Sequence, residues 1–350
     1  MALLNAALLL APESWLEAVW MQRIWPLWPA VTARLHALLP LPVTLAALLV
    51  VALLTLAWAL RRPPRARRGL LALVTVSAVA LSTFVPAWGA AYRRAPLATT
   101  LGFELKTADP EALLDVLEAL VARVAAEAPS EPLVVLADGP SLAAAAAAAA
   151  RCVAEADAYV SGRPVALPPR VRSLPAGTFL RAGFAGMALP WLLEPHVDAG
   201  LPAAAWLGVA AHELTHAAGW AREADTDALS ILAGFACDHP WVRYASALRA
   251  VQVVSTSLRP LLREGSAEHV RLRRALAALP EVAHEDRAAQ VAAARRWYAP
   301  GLAAAVTGVY DNYLRSQGVR EGVADYDAAG TLVGAALVAC KAGDGARWCR

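Results

Sequence analysis

The chain has 350 residues, 58% of them hydrophobic and 17% charged, with a formal net charge of +3 and a mean hydropathy of +0.45. That balance excludes a disordered polyelectrolyte and a strongly basic nucleic-acid-binding surface, and it is too apolar for an ordinary water-soluble enzyme. It predicts membrane segments joined to a globular part.

The apolar excess is concentrated near the start. Residues 2–11 are apolar but too short to span a bilayer, and they lack the basic start of a signal peptide. Trp15, Trp20, Trp25 and Trp28 follow at loosely helical spacing, with Glu13, Glu17 and Arg23 among them. This is the pattern of a helix lying in a membrane interface; the alternative is that the tryptophans pack on the globular part.

Two uncharged runs, residues 37–60 and 69–92, are each long enough to cross a hydrocarbon core as a helix. Between them stand Arg61, Arg62, Arg65, Arg67 and Arg68, which the positive-inside bias holds in the cytoplasm. Residues 1–92 are therefore expected to form an interfacial segment and a transmembrane helical hairpin, and residues 93–350 an extracytoplasmic domain. Arg93 and Arg94, just beyond the second run, weigh against that orientation. All four cysteines, Cys152, Cys237, Cys340 and Cys349, follow the second run, as suits an oxidising compartment. Bridges Cys152–Cys237 and Cys340–Cys349 or free buried thiols are both compatible with the spacing.

The remainder reads as one mainly α domain. Asp109 and Pro110 predict a helix N-cap and first position, with the helix running to about Glu127, and Ser141 is expected to cap the next helix, which carries the alanine run 143–150. Residues 163–203 are rich in proline and glycine, which predicts loops or a short β element. Helices are expected to resume near Ala204, break around Gly219, and fill most of the chain to about Cys340.

Residues 211–216 read Ala211, His212, Glu213, Leu214, Thr215, His216, an HExxH pattern within helix-forming apolar residues. Histidines four apart share one helix face and can offer two imidazole nitrogens to one metal, and the intervening Glu213 projects beside it as a general base. One zinc ion is the expected metal, since two imidazoles, a carboxylate and an open position describe its catalytic sites. The chemistry implied is peptide hydrolysis, with Glu213 taking a proton from the attacking water and passing it to the leaving amine.

Glu223 follows His216 by seven residues, a rise of about 10 Å along a straight helix and too far to share its metal. A turn at Gly219 would remove that distance, making Glu223 the third ligand and Asp227, one turn on, a hydrogen-bond partner for a ligand histidine. Asp225 is held in reserve. The competing reading of this acidic cluster is a helix N-terminus whose carboxylates favour the macrodipole without touching metal.

The stretch His212 to Asp227, HExxHxxGxxxExxxD, resembles the ExxxD-bearing subset of gluzincin peptidases. More broadly, the chain is similar to a bacterial family of membrane-embedded zinc peptidases known only as a domain of unknown function. That resemblance rests also on the run Trp88 to Pro96, on Gly183 to Asp198 and on Val309 to Leu314 followed by Gly318, Gly322 and Tyr326. Trp220 and Asp227 stand where that family tends to have Phe and Asn. The resemblance implies a gluzincin-like domain, a single zinc, a peptide or protein substrate near the bilayer, and residence in the bacterial inner membrane with the domain in the periplasm. A zinc-binding but catalytically silent membrane protein that binds envelope partners is the alternative. Glu194 and His196 are expected beside the cleft, on an element that pairs with substrate backbone, or else in a solvent loop. Tyr310 and Tyr313 are candidate oxyanion donors, or core residues with satisfied hydroxyls. Oligomeric state is not legible.

Overall fold

A computed structural model of the chain describes residues 1–39, 42–60, 65–102, 109–133 and 140–341. The molecule is mainly helical, as the sequence predicts, with one small sheet. Helix α1 (Ala2–Leu10) turns sharply at Ala11 and Pro12 into α2 (Glu13–Trp15), which runs on as a π-helical stretch, Leu16–Ile24, and is followed by α3 (Leu27–Leu38). Trp20 and Trp25 are buried while Trp15 and Trp28 are exposed, so the tryptophan-rich segment packs on the domain through one face and shows the other outward. Trp25 donates its indole N–H to the Ala87 carbonyl at 3.0 Å.

Helices α4 (Val43–Leu60) and α5 (Arg65–Ala87) lie against each other. The segment Gly69–Arg93, α5 and its short 3-10 continuation, is long and apolar enough to cross a membrane; α4 contributes a shorter apolar stretch, Leu49–Trp58. Of the expected two-span hairpin, the described residues thus support the second member. Arg61 and Arg62 lie outside the described residues.

Arg93 and Arg94 are not free membrane-flanking charges. Arg93 donates to the Leu8 and Ala11 carbonyls at the end of α1, at 2.6 and 2.7 Å. Arg94 is buried, pairs with Glu17 at 3.2 Å, and donates to the Gly219 carbonyl at 3.0 Å while its guanidinium lies over the Trp220 ring.

After α6 (Leu97–Leu101), α7 (Pro110–Glu127) starts as predicted, with the Asp109 side chain accepting from the Glu111 amide. Helix α8 (Pro140–Ser161) begins one residue before Ser141, which therefore sits inside the first turn instead of capping it. The proline-rich region folds into β1 (Arg172–Leu174), β2 (Gly186–Leu189) and β3 (Glu194–Asp198), in the order β1-β3-β2, with β1 parallel and β2 antiparallel to the fully buried β3. Asp198 ties this region together by accepting from the amides of Gly177, Phe179, Leu180 and Gly200.

Helices α9 (Ala203–Ala217) and α10 (Glu223–Phe235) form the centre of the domain, and every residue of α10 is buried. Helices α8, α9, α11 (Pro240–Leu258) and α15 (Ala329–Lys341) surround α10. Between α11 and α15 come α12 (Ala267–Ala277), α13 (Glu281–Trp297) and α14 (Pro300–Ser316). Cys152 and Cys237 form a disulfide between α8 and the end of α10. Cys349, and with it the second expected bridge, lies outside the described residues.

Candidate metal centre

Helix α9 ends where the sequence requires it to. Gly219 adopts φ +93°, and its amide bonds to the His216 carbonyl at 2.8 Å, closing the helix with a left-handed residue that glycine tolerates without a Cβ penalty. A Cβ there would meet the Trp25 ring at 2.7 Å, so the same position admits the N-terminal segment. The chain reverses through Trp220 to Arg222, and Glu223, first residue of α10, returns to the face of α9 that carries the histidines.

Nε2 of His212 lies 3.1 Å, and Nε2 of His216 lies 3.2 Å, from the same oxygen, Glu223 Oε2. The opposite ring nitrogens are anchored: His212 Nδ1 is 2.9 Å from Asp227 Oδ1, and His216 Nδ1 is 2.7 Å from the Trp220 carbonyl. A carbonyl and a carboxylate only accept, so each Nδ1 carries a proton and each Nε2 is the ring nitrogen turned towards Glu223. Three potential ligand atoms thus converge on one buried point, where shared protons or a cation must offset their mutual repulsion. His212, His216 and Glu223 are a buried group that can hold a metal ion.

The surroundings lock this group. Arg249 grips Asp227 through both carboxylate oxygens, at 3.0 and 2.8 Å. The Thr226 hydroxyl donates to the carbonyls of Trp220 and Arg222 on the return turn. Tyr310 donates to Glu223 Oε1, and Tyr326 lies parallel to the His212 ring. Trp88, at the end of α5, meets the His216 ring edge-on.

The electrostatics follow from burial and pairing. Burial opposes a charge on His212, yet the Asp227 carboxylate, followed by Glu223, holds its pKa up at about 10. Burial also opposes ionisation of Asp227, but Arg249 and then His212 draw it down to about 2. Glu223 stays well below the usual carboxylate range in spite of burial, owing first to His216 and then to His212. Glu213 goes the other way: burial pushes its carboxyl up against the pull of both histidines. Its Oε2 has no hydrogen-bond partner within the protein.

Two lobes meet at this group. One, about 540 Å³, is walled by aromatic and apolar side chains, including Phe84, Trp88, Trp191 and Val309; the other, about 350 Å³, contains Arg249, Gln290 and Thr307. His212, Glu213, Gly186, Phe184, Tyr310 and Tyr326 line both. Strand β2 runs along the cleft. The Asp198 amide bonds to the Ala185 carbonyl, and register then pairs Met187 with His196 and Leu189 with Glu194 by hydrogen bonds, leaving the peptide groups of Gly186 and Ala188 turned away from β3. Pro195 opposes Ala188, where no ladder hydrogen bond is lost.

The structure brings together His212, Glu213, His216, Glu223, Asp227 and Tyr310. Tyr313 stands further along the aromatic lobe, stacked beside Tyr310 and edge-on to Tyr92. Asp225 accepts from the Leu97 amide at 3.2 Å, a structural tie with no part in the histidine group. Glu194 and His196 do not join the cleft lining. Both are buried on β3, where Glu194 accepts from the Val43 and Thr44 amides that open α4, pairs with Arg172 at 3.0 Å, and lies between His36 and His196. Sequence reasoning missed Arg249, which no local spacing marks. It quoted Tyr326 only as part of a resemblance.

The family model described as Protein of unknown function (DUF3810) matches residues 20–333, and the chain belongs to that family. No curated protein and no solved structure matches it.

Proposed function

As a member of that family the chain is, we propose, a membrane-anchored zinc metallopeptidase, gluzincin-like in its site, that hydrolyses peptide bonds with Glu213 as general base. The observation that carries this reading is the convergence of His212, His216 and Glu223 on one buried point next to a carboxylate whose outer oxygen has no protein partner. Ligands about 2.0–2.1 Å from a tetrahedral zinc lie roughly 3.3 Å from one another. The separations of 3.1 and 3.2 Å to Glu223 fit that bite.

Zinc bound there would supply a Lewis acid that polarises the scissile carbonyl and activates water. The protein's own residues do the rest. Glu213, its proton affinity raised by burial, accepts a proton from water at the cleft side of His212 and hands it to the leaving nitrogen. The free peptide groups of Gly186 and Ala188 pair with an extended substrate backbone. Asp227, itself held by Arg249, fixes the tautomer and orientation of His212. Burial and Glu223 push the Tyr310 hydroxyl upward, so it stays a donor at neutral pH.

Helix α5 anchors the domain, with α4 as its partner span and the domain on the periplasmic side of the inner membrane. The five arginines among residues 61–68 support that orientation, and the internal engagement of Arg93 and Arg94 removes the charges that opposed it.

The test compares wild type with Glu213→Gln against an unbiased peptide library. Both are expected to hold one zinc per chain, and only the wild type to cleave. Equal behaviour of the two towards every peptide would favour the silent zinc-binding alternative.

A further inference from the structure

We infer that the cleft opens at the hydrocarbon–water boundary and takes the membrane-flanking segment of a bilayer-anchored polypeptide. This rests on the peptidase reading for its chemistry and on the span for its geometry. Arg65, Arg67 and Arg68 precede Gly69 and set the inner limit of the apolar run. A hydrocarbon core of about 30 Å takes about 20 helical residues, which from Gly69 reaches the level of Trp88. Trp88 is a wall of the aromatic lobe and touches the His216 ring, 5.5 Å between centroids. The metal group therefore lies at the depth of the outer boundary, not above it.

A second element gives the same depth. Helix α4 starts at Val43, whose amide is held by Glu194, and the turn before Glu194 carries Trp191. The Trp191 indole N–H donates to Thr83 Oγ1 at 3.1 Å, with the Ala80 carbonyl at 3.3 Å. Those residues are five to eight positions before Trp88, about 7–12 Å down the helix. The β2–β3 turn thus reaches below the level of the metal group, alongside the span.

The surface agrees with this placement. Met187 and Val309, at the mouth of the aromatic lobe, are 42% and 72% exposed, and Phe84 joins that lobe to the apolar flank of α5 through ring contacts with Trp191 and Tyr313. Apart from tyrosines, the ionisable side chains lining this lobe are His212, Glu213, His216 and Glu223, all of them buried. A polypeptide leaving the bilayer is apolar on its membrane side and polar beyond. The two lobes repeat that sequence, with the apolar one beside α5 and the one with Arg249, Gln290 and Thr307 across the metal group. Backbone at this depth must have its N–H and C=O groups paired, which the free edge of β2 provides.

The experiment uses the full chain carrying Glu213→Gln in lipid nanodiscs, with a photo-crosslinking amino acid at Val309. The probes are a synthetic peptide with a span of about 20 apolar residues and a short polar tail, and the tail alone. Anchoring in the same bilayer is expected to favour the spanning probe by at least about tenfold. Equal crosslinking of the free tail, or none of either, would overturn the inference. Nitroxides at Met187 and Val309, with Cys340 and Cys349 changed to Ser, give a readout independent of substrate. They should collide with lipid-dissolved oxygen, whereas one at the half-exposed Val270 on α12 should collide with an aqueous nickel reagent; aqueous collisions at all three sites would contradict the placement. Positive crosslinking and depth with no cleavage by the zinc-loaded wild type would remove the peptidase reading alone.

Discussion

Gly186 lies so close to Glu213 that a methyl group on its Cα would stand 2.8 Å from Glu213 Oε1, and 2.7 Å from both the His196 carbonyl and Val209 Cγ1. Strand β2 and the Glu213 carboxylate are thus fitted to each other at a position where only hydrogen is small enough. Gly186→Ala must push β2 or the carboxylate aside. Turnover is expected to fall by more than about tenfold, since small displacements of reacting groups carry large rate costs. Zinc content, measured by elemental analysis on the same preparation, should not change, because no ligand touches Gly186.

Asp227→Asn removes the anionic partner of His212 Nδ1 and breaks the bidentate grip of Arg249. Loss of such a partner typically weakens metal affinity by about 10–100-fold. Competition with a chromogenic chelator measures this. Affinity equal to wild type would mean that His212 needs no second anchor.

Much of this site was legible because its information is local. Two histidines four residues apart fix a shared helix face, and a glycine three residues on permits the return that brings Glu223 and Asp227 into place. What was not legible is what the rest of the chain brings to that local unit. Arg249 arrives on α11 and Arg94 from just beyond the 3-10 turn that follows α5, neither with a sequence periodicity that points to α9; Tyr310 is a candidate in the sequence, but its pairing with Glu223 is not legible there. The same limit explains Glu194. A glutamate in a proline-rich segment near the metal helix reads as a cleft residue, whereas tertiary folding places it at the first turn of α4, where a carboxylate meets unpaired amides and the positive end of a helix dipole.

Tyr310→Phe takes one donor from Glu223 and leaves a buried carboxylate oxygen underbonded. The cost of about 1–3 kcal/mol should appear as a lower melting temperature of the metal-free protein, with zinc affinity changed by no more than about tenfold. A drop in turnover with full zinc affinity would instead assign the hydroxyl to the transition state.

Glu194 supplies a pH-dependent part of the stability. Despite its burial, His196, His36 and the Thr44 amide hold its pKa far below the ordinary carboxylate range. Its contribution is therefore complete above the pKa of an unfolded glutamate and is lost as pH falls through the depressed value. Glu194→Gln is expected to cost about 3 kcal/mol or more at pH 7, because it removes the buried negative charge that Arg172, His36 and His196 face, and progressively less in strong acid. Chemical denaturation in detergent at several pH values checks the trend; a deficit constant with pH would remove the ionised carboxylate from the account.

The most direct measurement is cleavage of a peptide library by protein stripped with a chelator and then given one equivalent of zinc, with Glu213→Gln carried through the same steps. The account predicts that stripping abolishes cleavage, that zinc restores it to the wild type, and that Glu213→Gln rebinds zinc through His212, His216 and Glu223 without cleaving. Cleavage that survives stripping, or that Glu213→Gln performs as well as wild type, would contradict it.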